Sequence, residues 1–454
     1  MATITTSSSS TRLTSLPQEL ILCIAAFLAN TDLSRFSRTC RDFNRYLSPV
    51  LYARDAKLPL SQALQWACKN SEPGTVTKAI AAGADFKTAE FEGWVPLHRA
   101  CYEGKIPIVS VLLAHGADPN QPGTSKWGPL HHSVLSHNAD VMALLLSNSA
   151  DPNVATVIGE TALHFACGEG SLPMFTLLLN HGADPCAATS YGTTPLHSAN
   201  QFRDAGPAVV KTLLERGANV EARLDNGFTP LHEACRTGSP SVTAALLDHG
   251  ADIASRANLG ETPLHGACRA GSVETARILL DRGADINVTD ASGETPLNLA
   301  AFSQRLAVVD MLLARGADPN IASERGSTPL HAACMYSDVA IMKALLGAGA
   351  DPSARTTRQE APLDLVCCGF KDSVDAARTL VAHGADARAR GRLGMTPLHS
   401  AARTAHRMLT EYLVGMEGVD INARDDEGVT PLGVAPFGKR HQAVRQVLEE
   451  HGAQ

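Results

Sequence analysis

The chain has 454 residues, 44% of them hydrophobic and 19% charged, with a formal net charge of -7 and a pI near 6.2. That balance argues against a nucleic-acid or anionic-membrane partner. The longest apolar run, the nine residues from Ile21 to Ala29, falls well short of the roughly 18 a membrane helix needs. In chain order, residues 1–14 come first: rich in Ser and Thr, with one arginine and no apolar core, they read as a disordered tail and not a secretory signal.

Residues 15–56 carry three apolar stripes at helical spacing. Pro17 opens a helix whose Leu20, Ile24, Phe27 and Leu28 share one face. Asp32 is placed to cap a second helix bearing Leu33, Phe36 and Cys40, and Phe43, Tyr46 and Leu47 form a third stripe. A unit of about 40 residues is marginal alone and gains by docking its surplus apolar surface on something else. A helical cap for the following domain would also be apolar on one side. The string Leu16-Pro17, Glu19-Leu20, Ile24, Leu28, Asp32-Leu33, Cys40-Arg41, Phe43 and Leu51-Tyr52 resembles an F-box over its full length. Two departures are modest: Ala29-Asn30-Thr31 stands where proline is common before the aspartate, and Phe43-Asn44 replaces a frequent tryptophan-containing pair. The resemblance implies docking on the Skp-family adaptor of cullin-based (SCF) ubiquitin ligases through Leu16, Pro17, Leu20, Ile24, Leu28 and Leu33.

From about residue 60 onward one string recurs, Thr-Pro-Leu-His. Its proline slot is filled at Pro96, Pro129, Pro195, Pro230, Pro263, Pro296, Pro329, Pro362, Pro397 and Pro431, with Ala162 in the third copy. Successive steps are 33, 33, 33, 35, 33, 33, 33, 33, 35 and 34 residues. In the copy from Thr262 to Asn287, Thr262 is expected to cap a helix through its hydroxyl, and Pro263 occupies the first helical position, where a missing N–H costs nothing. Gly271 ends that helix. Val273, Ala276, Ile278, Leu279 and Leu280 form a second, stopped by Gly283. Two such short helices bury their apolar faces only against neighbouring copies, so the period predicts a solenoid. The period and string resemble ankyrin repeats. The expected fold class is all-α: a three-helix F-box, then an ankyrin-repeat solenoid of about twelve helix-turn-helix repeats spanning residues 60–454. Its first repeat, 61–87, is degenerate. Its last, about 428–454, has a polar second helix suited to a terminal cap and suggests a complete chain.

The phase of the period accounts for most of the chemistry-bearing residues. Cys101, Cys167, Cys235, Cys268, Cys334 and Cys367 each lie five residues after the proline slot, with Cys68 in phase, so they read as small buried hydrophobes. No CxxC pair occurs, which implies no metal site and a reduced intracellular setting, cytoplasmic or nuclear. Eight histidines fill the Thr-Pro-Leu-His slot and five more precede a Gly-Ala near a helix C-terminus, where they suit the dipole. His132, His137, His406 and His441 are left over. Phosphate loops and nucleophile elbows are missing from the sequence, so neither an enzyme nor a cofactor is expected.

Target recognition is expected at the solvent-facing slots that stacking leaves free. The residue before the Thr slot and the last positions of each first helix supply Trp94, Tyr102, Trp127, Phe202, Phe228, Arg236, Arg269, Phe302 and Tyr336, with Tyr191 in a loop nearby, a composition typical of protein-interface hot spots. The competing reading has the tryptophans packed between adjacent loops. The two 35-residue steps place two-residue insertions near 202–207 and 369–372, where loop variation concentrates. The sequence thus points to a non-catalytic receptor with an adaptor, a cullin complex and a protein target as partners. The alternative is an ankyrin scaffold or inhibitor without a ubiquitin-ligase role.

Overall fold

The computed structural model describes residues 52–57, 61–88 and 93–454. The F-box-like residues Leu16, Pro17, Leu20, Ile24, Leu28 and Leu33 lie outside them. The described elements are helical, apart from one isolated antiparallel bridge between Ala155 and Thr161. The described residues fall into two compact units, divided between Pro195 and Leu196.

In the first unit, helical hairpins pair Gln62–Asn70 with Pro73–Ala81, Pro96–Tyr102 with Ile106–Ala114, Pro129–Leu135 with Ala139–Ser147, and Ala162–Gly168 with Leu172–Asn180. The second unit continues the pattern from Gly206–Glu215 to the last pair, Pro431–Val434 and Lys439–Glu450. Small and apolar residues of the first helices are buried together with the apolar faces of the second helices, as at Leu264, Ala267, Cys268, Ala276 and Leu279. This layered burial is what stacking two-helix units requires.

The first helices begin differently from the expectation. Thr262 is the N-cap, but its hydroxyl does not take a first-turn N–H. The Nδ1 of His265 accepts from the Thr262 N–H at 3.1 Å and from its hydroxyl at 2.9 Å. The other ring nitrogen, Nε2, then carries the proton and donates 3.0 Å to the Glu294 carbonyl, one repeat further on. His331 and His399 repeat this arrangement with Thr328 and Thr396, and His232 with Thr229. Where histidine is absent the threonine behaves as expected: Thr295 Oγ1 accepts from Asn298 N, and Thr430 Oγ1 from Gly433 N. Each slot histidine therefore joins two repeats, and all eight are buried.

The second helices end as the sequence predicts. Gly283 has φ 93°, in the left-handed region. The five histidines preceding Gly-Ala turn Nδ1 onto the carbonyl four residues back, as His249 does on Ala245 at 2.8 Å. Beyond them the extended loops dock tip to tip. Ala291 N donates to Leu259 O, Glu324 N to Ser292 O and Thr357 N to Arg325 O. Arg256 ties two loops with one nitrogen, Nη1 reaching Gly260 O at 3.1 Å and Thr289 O at 2.7 Å.

Asp55, in the short helical turn at the end of the F-box-like region, accepts from Ser61 Oγ and from Ala63 N at 2.9 Å. It thereby meets the opening of the first hairpin, whose N-cap is Ser61.

Candidate protein-interaction surface

The surface is built from the slot before each N-cap, the end of each first helix and the loop tips. In the first unit Trp94 is half-buried. Its ring lies 5.6 Å from Tyr102 and 4.5 Å from His132, both edge-on. Trp127, also half-buried, packs 4.7 Å from Phe165 and 5.7 Å from His132. His132, left unexplained by the period, is the buried hub of this cluster, and its Nδ1 donates to Gly128 O at 3.0 Å. Both tryptophans are thus partly taken up in packing against first-helix residues, while Tyr102 at 48% and Tyr191 at 60% exposure face solvent. Trp66, on the degenerate first repeat, is 53% exposed and belongs to no recognisable slot, because that copy lacks the proline marker.

In the second unit the candidates separate further. Phe202 is corrected: it is buried, 6% exposed, because the insertion turns residues Pro195–Ala205 into a 3-10 segment with Arg203 at φ 51°. Phe228 is half-buried and stacks on His232 at 5.2 Å. Arg236 pairs with Glu233 at 2.6 Å, and Arg269 pairs with Glu261. Phe302 and Tyr336 meet at 5.6 Å and Tyr336 stacks on Phe370 at 6.0 Å, an aromatic strip across three repeats. Phe370 is 78% exposed, and beside the second insertion it stands outside the 33-residue phase of the slots. The same insertion supplies Asp372, whose carboxylate accepts from Met408 N and Leu409 N at the start of the next repeat's second helix.

Two hollows lie along this face. The smaller, about 290 Å³, is bounded by Phe228, Arg236, Glu261 and Arg269. The larger, about 630 Å³, is bounded by Glu294, Asn298, Phe302, Arg325, Met335 and Glu360 among others. None of these three glutamates stood out in the sequence beyond its slot.

Burial sets the electrostatics. It pushes the slot histidines His98 and His131 down to about 4, and lowers His132, His164, His232, His265, His331 and His399 as well. These rings stay neutral at pH 7, as their role between repeats demands. Asp364 occupies the same slot in its repeat, and burial pushes its carboxyl up to about 6. Burial also raises the phased thiols, Cys235 to about 12. The nine cysteines among the described residues form no disulfide. No group of three or more His, Cys, Asp or Glu that could hold a metal ion occurs among the described residues, and no helix there is long and apolar enough to cross a membrane.

Comparison with known proteins agrees with this architecture. A family model of ankyrin repeats matches residues 64–156, 151–224, 204–290, 255–323, 287–356 and 363–454. The chain therefore belongs to the ankyrin-repeat family. An F-box-like model matches residues 13–55, directly ahead of the repeats, so this is an F-box-like protein with ankyrin repeats. Among curated proteins it is similar to Rabankyrin-5 of Mus musculus, 31% identical over 80 residues, and of Homo sapiens, 30% identical over 80 residues. Each match covers 17% of this chain and only 7% of the relative. Among solved structures, the human ASB11 ankyrin repeat domain is 29% identical with a TM-score of 0.45, covering 50% of this chain and 99% of that one.

Proposed function

We propose that the chain is a non-catalytic substrate receptor of an SCF-type ubiquitin ligase. The observation that carries the reading is the order of modules: an F-box-like segment at residues 13–55 followed by ankyrin repeats to the C-terminal region. We divide the chain into a tail at 1–14, an F-box at 15–56 and repeats over 60–454. Leu16, Pro17, Leu20, Ile24, Leu28 and Leu33 hold the Skp-family adaptor and through it the cullin complex. The repeats hold a protein target by the exposed slots, chiefly Tyr102, Tyr191, Phe302 and Tyr336, with Trp94, Trp127, Phe228, Arg236 and Arg269 shaping the surface around them. The chemistry of ubiquitin transfer belongs to other subunits, and this chain contributes proximity and orientation. Its place is inside the cell, cytoplasmic or nuclear, where buried cysteines remain reduced.

Deleting residues 1–56 tests the reading. Target turnover in cells should stop while the target still binds. Unchanged turnover would leave the alternative, an ankyrin scaffold or inhibitor.

A further inference from the structure

The residue before the N-cap is glutamate in four repeats: Glu160, Glu261, Glu294 and Glu360. At Glu261 the carboxylate is neutralised from within. Arg269, eight residues on at the end of the same first helix, donates its guanidinium to Oε1. The next repeat keeps the glutamate and loses the arginine. Eight residues after Glu294 stands Phe302, 49% exposed, and eight after Glu360 stands Cys368. Glu294 accepts only a neutral amide, Asn298 Nδ2 at 2.7 Å, and Glu360 only the Thr356 hydroxyl at 3.4 Å. No ion pair within 4.0 Å reaches either carboxylate among the described residues. Both border the 630 Å³ groove, with Phe302 and Met335 on its helix side and the exposed Arg325 and Arg358 on its loop side.

We infer that this groove takes its target segment through an arginine side chain. The guanidinium seats against Glu294 and Glu360 as Arg269 seats against Glu261, and its stem lies along the Phe302 ring. The inference rests on the repeats binding a protein target. Arginine suits the site better than lysine because its planar fork pairs with carboxylates at two points and stacks on aromatic faces. Arg325 and Arg358, which form no ion pair within 4.0 Å among the described residues, favour acidic residues beside that arginine and repel a uniformly basic segment. Tyr336 and Phe370 extend the apolar strip away from Phe302 and offer an adjoining apolar residue a surface to lie on.

The test is selection of a displayed random-peptide library on the full chain, followed by binding measurements on the enriched synthetic peptides. The enriched peptides should share an arginine with an acidic neighbour. Replacing that arginine by citrulline, which keeps the shape and removes the charge, should weaken binding by about tenfold or more. Glu294→Gln with Glu360→Gln should do the same without altering the melting temperature. Phe302→Arg, which repeats the Arg269 arrangement, should fill the groove from inside and abolish binding. A library that yields no binders, a consensus lacking arginine, or affinity indifferent to citrulline or to the glutamine pair would overturn the inference. The adaptor is absent from this assay, so each of those outcomes leaves the F-box reading standing, and loss of adaptor binding leaves the groove result standing.

Discussion

The imidazole of His265 and the backbone carbonyl of Glu294 are joined by a 3.0 Å hydrogen bond that crosses from one repeat to the next. The same ring takes the Thr262 N–H and hydroxyl, so one neutral side chain satisfies a helix start and a neighbouring loop at once. Protonating Nδ1 would abolish both acceptor contacts. Replacing His265 by Ala leaves a buried N–H and a carbonyl unpaired, with an expected cost of about 2–4 kcal/mol in chemical denaturation. A loss under about 0.5 kcal/mol would deny the ring this role.

Acid should weaken the stack through these rings. Their folded pKa values lie below the unfolded value of about 6.5, so the stability they contribute is complete above that value and is lost as pH falls toward the folded ones. For His98 and His131, pushed down to about 4, the loss amounts to about 3 kcal/mol each by pH 4. Denaturation midpoints at pH 7 and pH 5 should differ clearly; equal midpoints would contradict the account.

Asp364 works in the opposite direction. Its folded pKa of about 6 exceeds its unfolded 3.8, so ionisation opposes folding increasingly between those values and fully above them. Asparagine already serves this slot at Asn298. Asp364→Asn should therefore stabilise the chain at pH 7 by about 1–3 kcal/mol and change little at pH 4. A variant no more stable than the parent at pH 7 would show that the carboxylate is accommodated at no cost.

The loop edge depends on backbone contact. Gly293 has φ 74°, and a Cβ there would come within 2.8 Å of Glu324 N. Gly293→Ala should lower stability by about 1–3 kcal/mol through strain and a broken Ser292–Glu324 bond. Wild-type stability would mean the tips separate freely.

Thiol labelling of the native chain reads the phase of the cysteines. Cys186 is exposed and should label, whereas Cys101, Cys167, Cys235, Cys268, Cys334 and Cys367 should react only on unfolding, since their thiols are buried and held protonated. Labelling of any of those six at the Cys186 rate would place it outside the core.

The helical hairpins were legible because period, proline and glycine positions all act locally. Pro263 and Gly283 stand where the helix starts and the turn require them. What the sequence concealed depends on distance in space. Thr262 looks like an ordinary cap until His265 is seen to draw its hydroxyl away. Phe202 reads as an exposed slot, but the insertion beside it winds the chain inward. Phe370 falls out of phase and so out of sight, and the open carboxylates of Glu294 and Glu360 differ from Glu261 only through what stands eight residues later.

The central claim is that this chain couples a target-binding ankyrin stack to a ubiquitin-ligase adaptor. Its most direct test is co-purification of the intact chain with a purified Skp-family adaptor, beside a variant carrying Leu16→Ala, Pro17→Ala and Leu20→Ala. The account predicts a stable complex with the intact chain and none with the variant, whose repeats melt normally. Equal recovery of adaptor with both chains, or none with either, would contradict it.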